Sequence, residues 1–216
     1  SISHEHGKIN SKIVSKQIIS TVFLTILTLL TMESQAQTFK TIENKDLKLE
    51  VYNASENSFG VASVIVSGKK DAVLIDTQFT LADAEKVAQE IKKSGKKLTT
   101  IFVSHGDPDF YFGLEVFKKY FPEVTAYATP ATIEHIKATA QKKLDVWGER
   151  LGKNITSNVI LPQVLKGNSI ELEGHHLEIV GLQEFPSQTF VWIPSIKAVV
   201  GGINVFGTTF HLWMAD

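Results

Sequence analysis

The chain has 216 residues, with 22 Lys and Arg against 23 Asp and Glu and a formal net charge of −1. That balance removes the electrostatic basis for non-specific nucleic-acid binding. A content of 43% hydrophobic and 21% charged residues excludes a disordered chain. There is no cysteine, which excludes disulfides, a thiol nucleophile and thiolate zinc sites. Any metal must be held by His, Asp, Glu or water.

The run from Ile18 to Leu30 is apolar but short for a bilayer span, which takes about 20 residues. Lys8, Lys12 and Lys16 precede it, and Ser34-Gln35-Ala36 follows with small residues at both peptidase-read positions. This is the three-part pattern of a secretory signal. Residues 1–36 are therefore expected to be a signal peptide with upstream residues, cleaved after Ala36. The body, 37–216, is expected in the periplasm or the medium, free of the membrane. An uncleaved anchor is the alternative. His4 and His6 lie upstream of the signal in a polar terminus, where a metal role has no support.

In the body, a strand is expected at Leu47–Tyr52. The β-branched runs Val61–Val66 and Ala72–Thr77, joined by Ser67-Gly68-Lys69-Lys70-Asp71, read as a hairpin. Thr80 with Asp83 three residues later opens a helix whose apolar stripe is Leu81, Ala84, Val87, Ala88 and Ile91. Gly95 ends it. Thr99–Ser104 reads as a buried strand, about 112–120 as a short helix, and Val124–Thr129 as a strand. Pro130 opens a long helix to about Arg150. Short strands follow at Val159–Val164, Ser169–Glu173, Leu177–Leu182, Thr189–Ile193 and Ala198–Val200. Alternating strands and helices predict an α/β fold with a largely buried sheet in one domain.

One stretch carries chemistry. Ser104-His105-Gly106-Asp107-Pro108-Asp109 follows a hydrophobic strand and precedes a helix. Ligands of α/β sheets bind at the carboxyl ends of strands. The spacing of two puts His105, Asp107 and Asp109 within reach of one small cation, and zinc, iron or manganese suits such N and O donors. The alternative is structural: Asp-Pro-Asp is a good turn, and Asp109 a plausible helix cap.

The order VIVSG, VLIDT, helix, IFVSHGDPDFYFG and later FVWIPSIKAVVGG resembles the metallo-β-lactamase superfamily over about residues 47–216. That resemblance implies an αββα sandwich and a metal-dependent hydrolase. Its loop motif is His-x-His-x-Asp-His. His105 matches the first His, Asp109 the Asp and Gly113 a frequent downstream Gly. Asp107 stands at the second His and Phe110 at the last. Counting back from Ile193-Pro194 puts Glu184 at the His of a Gly-His-Thr motif, and the bridging Asp falls at Gly202. A final family His lies in a segment this sequence does not reach, so the sandwich is expected to lack its C-terminal segment.

The resemblance thus implies one divalent ion, zinc first with iron or manganese as alternatives, held by His105, Asp107, Asp109 and Glu184. Phe110 and Gly202 offer the second ion no donor. Asp109 would orient a metal-bound water or act as general base, and His211 would line the pocket. The substrate would be a small ester, lactone, thioester or amide. Asp76 would support the loop by hydrogen bonds. His175 and His176 are adjacent and point to opposite strand faces. His135 reads as a solvated helix residue. Neither Ser104 nor Ser187 lies in a Gly-x-Ser-x-Gly elbow, so serine hydrolase chemistry has no support. Two further functions stay open: a non-catalytic binding protein on the same fold, and a true β-lactamase.

Overall fold

A computed structural model describes residues 39–202 and the backbone of 212–214. The expected signal segment and His211 lie outside the described residues. β1 (Lys40–Glu43), β2 (Lys48–Asn53), β3 (Ala62–Ser67) and β4 (Asp71–Ile75) form an antiparallel meander. β5 (Lys97–Phe102), β6 (Thr125–Ala128) and β7 (Gln163–Val164) continue the same sheet in parallel, giving seven strands in sequence order. A second sheet has the order β12-β11-β10-β9-β8, all antiparallel, from β8 (Ser169–Leu172), β9 (His175–Val180), β10 (Phe190–Ile193), β11 (Ala198–Val200) and β12 (Leu212–Met214). The helices are α1 (Leu81–Ser94), α2 (Pro108–Tyr111), α3 (Leu114–Tyr120) and α4 (Pro130–Leu151).

Side-chain alternation along the strands builds two cores from one sheet. Val64, Val66, Val73, Ile75 and Phe102 face the second sheet, where they meet Leu177, Val191 and Val200. Ile65, Leu74 and Ile101 face the other way and meet Val87 and Ile91 of α1, Phe117 of α3 and Ile136 of α4. Strands buried on both faces read as continuous apolar runs, which is why VASVIV and AVLI lack alternation in the sequence. All four described α-helices pack into this second core, and none into the core between the sheets.

The helix ends follow their local chemistry. Thr80 accepts the Asp83 amide at 3.2 Å, and Gly95 closes α1 at φ 71°. Thr129 accepts the Thr132 amide at 3.1 Å, and Pro130 takes the first turn of α4. Three differences from expectation have plain causes. β1 adds an exposed edge strand that its polar sequence hides. The expected strand Val159–Val164 shrinks to Gln163–Val164, since Pro162 has no amide for a ladder. The expected helix at about 112–120 is α3, and a further short helix, α2, precedes it across a break at Phe112-Gly113. A Cβ on Gly113 would lie 1.9 Å from the Thr77 carbonyl oxygen, so the chain passes there only without one.

Parallel strands β4, β5 and β6 all end on one edge. The segments leaving them, 76–80, 103–107 and Thr129, supply the candidate site.

Candidate functional site

Asp76 follows β4 in the left-handed region, at φ 63°, and is fully buried. Its Oδ1 accepts the Ser104 amide at 2.8 Å and its Oδ2 the Ser104 hydroxyl at 2.6 Å. Ser104 Oγ in turn accepts the Gly202 amide at 3.0 Å. Burial pushes the Asp76 carboxyl up to about 7 against the hydrogen bonds from Ser104 and Gly202, and the charge of Asp109 adds to the rise. The expected supporting role of Asp76 agrees with this geometry. Gly202 gives the site a backbone amide, and a Cβ there would lie 2.5 Å from the Thr189 carbonyl oxygen.

His105 comes next and is 4% exposed. It is held from the second sheet's side, where it pairs with Gln188 in an antiparallel bridge. The Ser104 carbonyl accepts both the amide and the hydroxyl of Thr189, at 3.0 and 2.9 Å. Burial holds the imidazole below its ordinary value, against the pull of Asp107, so the ring is neutral at pH 7. Nδ1 accepts the Asp107 amide at 3.0 Å. A neutral imidazole has one proton, which that bond assigns to Nε2. Nε2 is buried with no hydrogen-bond partner among the described residues. In this tautomer it offers a donor and not the lone pair a metal needs.

Asp107 is the N-cap residue of α2, and Pro108 takes the first helical position. Its carboxylate is half-exposed and meets three cationic or imidazole groups. Lys143 Nζ of α4 donates to Oδ1 in a close ion pair. His135 Nε2, also of α4, lies 3.8 Å from Oδ1, and His105 Nδ1 lies 3.4 Å from Oδ2. Burial opposes ionisation of Asp107, but the Lys143 bond and charge, with both imidazoles, hold its carboxyl below the usual range.

Asp109 sits in the first turn of α2, half-buried. Burial pushes its carboxyl up to about 6, with the charge of Asp107 adding and that of Lys143 opposing. Phe110 is 1% exposed, with its ring centroid 4.9 Å from that of His105. Tyr111 and Phe112 are buried as well, so all three aromatic residues are core.

Of the three loop residues, His105 and Asp107 meet, with Nδ1 3.4 Å from Oδ2, while Asp109 sits in the first turn of α2. Glu184 lies exposed in the turn before β10, and the residue of that segment that bridges to His105 is Gln188. Two residues were missed. His135 is exposed on α4, as a solvated helix residue is, and its ring also lies beside the loop: a Cβ on Gly106 would lie 2.6 Å from it. Gly106 was the available signal. Lys143 gave none, since 36 residues separate it from Asp107.

The resemblance noted in the sequence implies a divalent metal, so the donor set bears a direct test. Among the described residues, no three His, Asp or Glu side chains stand together to hold an ion. Asp107 is paired with Lys143, and His105 Nδ1 accepts the Asp107 amide. These residues do not fit a divalent-metal centre as they stand.

Residues 57–191 match the family model of the metallo-beta-lactamase superfamily. Similar solved structures include a metallo-beta-lactamase from Pontibacter korlensis, at 18% identity and TM-score 0.56, covering 79% of this chain and 74% of that one. The DIM-1 metallo-beta-lactamase aligns at 20% identity and TM-score 0.54, covering 79% and 72%. The same enzyme exposed to ceftazidime aligns at 21% and 0.53, covering 79% and 72%. No curated protein matches the chain. These likenesses are of fold, the mixed α/β arrangement of two sheets with helices expected from the sequence. By its family match over more than half its length and by its fold, the chain belongs to the metallo-β-lactamase superfamily.

Proposed function

We propose that this chain binds a small molecule at the carboxyl edge of its sheet, as a non-catalytic member of the superfamily without a resident metal ion. The observation that carries the reading is the Lys143–Asp107 pair: a protein ammonium sits on the carboxylate that a metal would need. Aromatic surface near this pair supports the reading. Lys143 and Trp147 are one helical turn apart on α4. The exposed ring of Phe59 meets Trp147 edge-on at 5.3 Å. A ligand with a polar head and a flat apolar body suits that surface. The setting is the periplasm or the medium, on the strength of the signal pattern at 18–36. Among the described residues no helix is long and apolar enough to cross a membrane.

A second reading keeps the hydrolase. Asp109, half-buried with its carboxyl at about 6, is poised to take a proton from water near neutral pH. The metal-dependent form of that reading, with zinc on His105, Asp107, Asp109 and Glu184, requires Asp107 to release Lys143 and Glu184 to turn inward.

Purified protein, with and without added zinc, would be screened against an aryl ester, a γ-lactone and nitrocefin. No turnover is expected. Turnover without zinc, lost in Asp109→Asn, would replace the binding reading with the second one. Turnover only with zinc would establish the metallo-hydrolase.

A further inference from the structure

The two sheets differ in width, and the difference leaves one edge open. The first has seven strands and the second, among the described residues, five. β8, the last strand of the second sheet, lies over β4. The inner faces of β5, β6 and β7 therefore run on past it. Thr100, Tyr127 and Gln163 of those strands, with Leu165 and Lys166, line a trough of about 430 Å³ whose other wall is residues 169–171 of β8.

The main chain of that wall is unpaired on its outer side. β8 and β9 are joined by the two-residue turn Glu173-Gly174, both at positive φ, 48° and 84°. Such a turn makes the flanking pair, Leu172 and His175, a hydrogen-bonded one, and hydrogen-bonded pairs then recur at every second residue. The Ile179 amide, donating to the Asn168 carbonyl at 2.7 Å, keeps that phase. The amides and carbonyls of Ser169 and Glu171 thus point away from β9, along the edge that meets the trough. No described strand pairs with them there. The usual guards against edge pairing are missing. β7 is two residues long and follows Pro162, whereas β8 has no proline, no lysine and no break in register.

We propose that this edge takes an extended peptide as an added strand of the second sheet, with apolar residues on the trough floor and Lys or Arg at the alternate positions. Such a strand lies about 4.8 Å from β8 and about 10 Å above the first sheet. Its inward side chains meet Tyr127 and Leu165, which pack on the core between the sheets. Its outward side chains share the outer face with Glu171 and Glu178, which are exposed and form no ion pair among the described residues. Opposite charges on neighbouring strands favour the pairing. The groove shares no residue with the loop at 104–109, so the proposal stands apart from what that loop binds.

The probe is an acetylated, amidated hexapeptide of alternating Val and Lys, titrated into the isotope-labelled chain and followed by NMR, with melting curves for every variant. Saturable binding is expected, with amide exchange at Ser169 and Glu171 slowed at least about tenfold. Exchanging Lys for Glu in the peptide, or Glu171→Lys in the chain, should weaken binding about threefold or more. Ser169→Pro removes an outward amide and leaves the ladder to β9 intact, so it should weaken binding about tenfold. Glu171→Lys, at an exposed position, keeps the test open should Ser169→Pro not fold. No binding at millimolar peptide, or binding that leaves both amides exchanging freely, overturns the inference. Slow exchange at both amides before peptide is added also overturns it: in a monomer the chain's own residues then cover the edge, and in a dimer a second copy does.

Discussion

The two ends of the loop after β5 are built on different principles. At Ser104 every polar atom is buried and paired: the Asp76 carboxylate takes the serine amide and hydroxyl, and Gly202 and Thr189 close the other sides. Three residues on, Asp107 meets Lys143 and His135 through half-exposed side chains. The first end fixes where the loop runs and is coupled to both sheets. The second carries the charged groups that the loop would offer to a ligand and is coupled to one helix. A fold can therefore keep its scaffold while its chemistry changes, because the two depend on different residues.

The largest effects should come from the scaffold end. Gly113→Ala would push a Cβ into the Thr77 carbonyl, at 1.9 Å, and into Ala84, at 2.8 Å. A stability loss of about 3 kcal/mol or more is expected by urea denaturation. A loss under about 1 kcal/mol would show that the chain can pass there by another route. Asp76→Ala strands the buried amide and hydroxyl of Ser104 and should cost about 2–3 kcal/mol, read in the same way.

Acidity separates the two ends next. The folded state raises the Asp76 carboxyl from its ordinary value to about 7, so folding favours the protonated form. That contribution is complete below about pH 4 and is lost as pH rises through 7. Wild-type stability, taken relative to Asp76→Asn, should fall by on the order of 2 kcal/mol between pH 5 and pH 8. A difference flat with pH would mean that Asp76 is ionised throughout. The smallest effect belongs to the ligand end. Asp107→Ala removes a half-exposed ion pair, and a loss of at most about 1 kcal/mol is expected by thermal melting. A cost near that of Asp76→Ala would make Asp107 part of the scaffold after all.

The sequence carries the scaffold well because the scaffold is written locally. The hairpin over Val61–Thr77, the capped helix from Thr80 to Gly95 and the proline-led helix at Pro130 each have their signal within a few residues. His105, Asp107 and Asp109 are legible together for the same reason, as neighbours in one turn. What decides the chemistry is not local. Lys143 reaches Asp107 from the fourth turn of another helix. His135 looks like any helix histidine until Gly106 is placed beneath its ring. Gln188 meets His105 by a single bridge between loops of the two sheets, four residues from the Glu184 that counting along the chain selects. The register of an irregular turn cannot be counted from a distant proline, since Gly181 to Gln188 folds back on itself through the Phe185 and Gln188 amides.

The most direct measurement is the metal content of the purified chain by mass spectrometry, after growth with zinc, iron and manganese and beside an Asp107→Ala control. With Lys143 seated on Asp107, well under one ion per chain is expected, and no difference between the two proteins. One ion per chain in the wild type, lost in Asp107→Ala, would contradict the account and restore the metal centre.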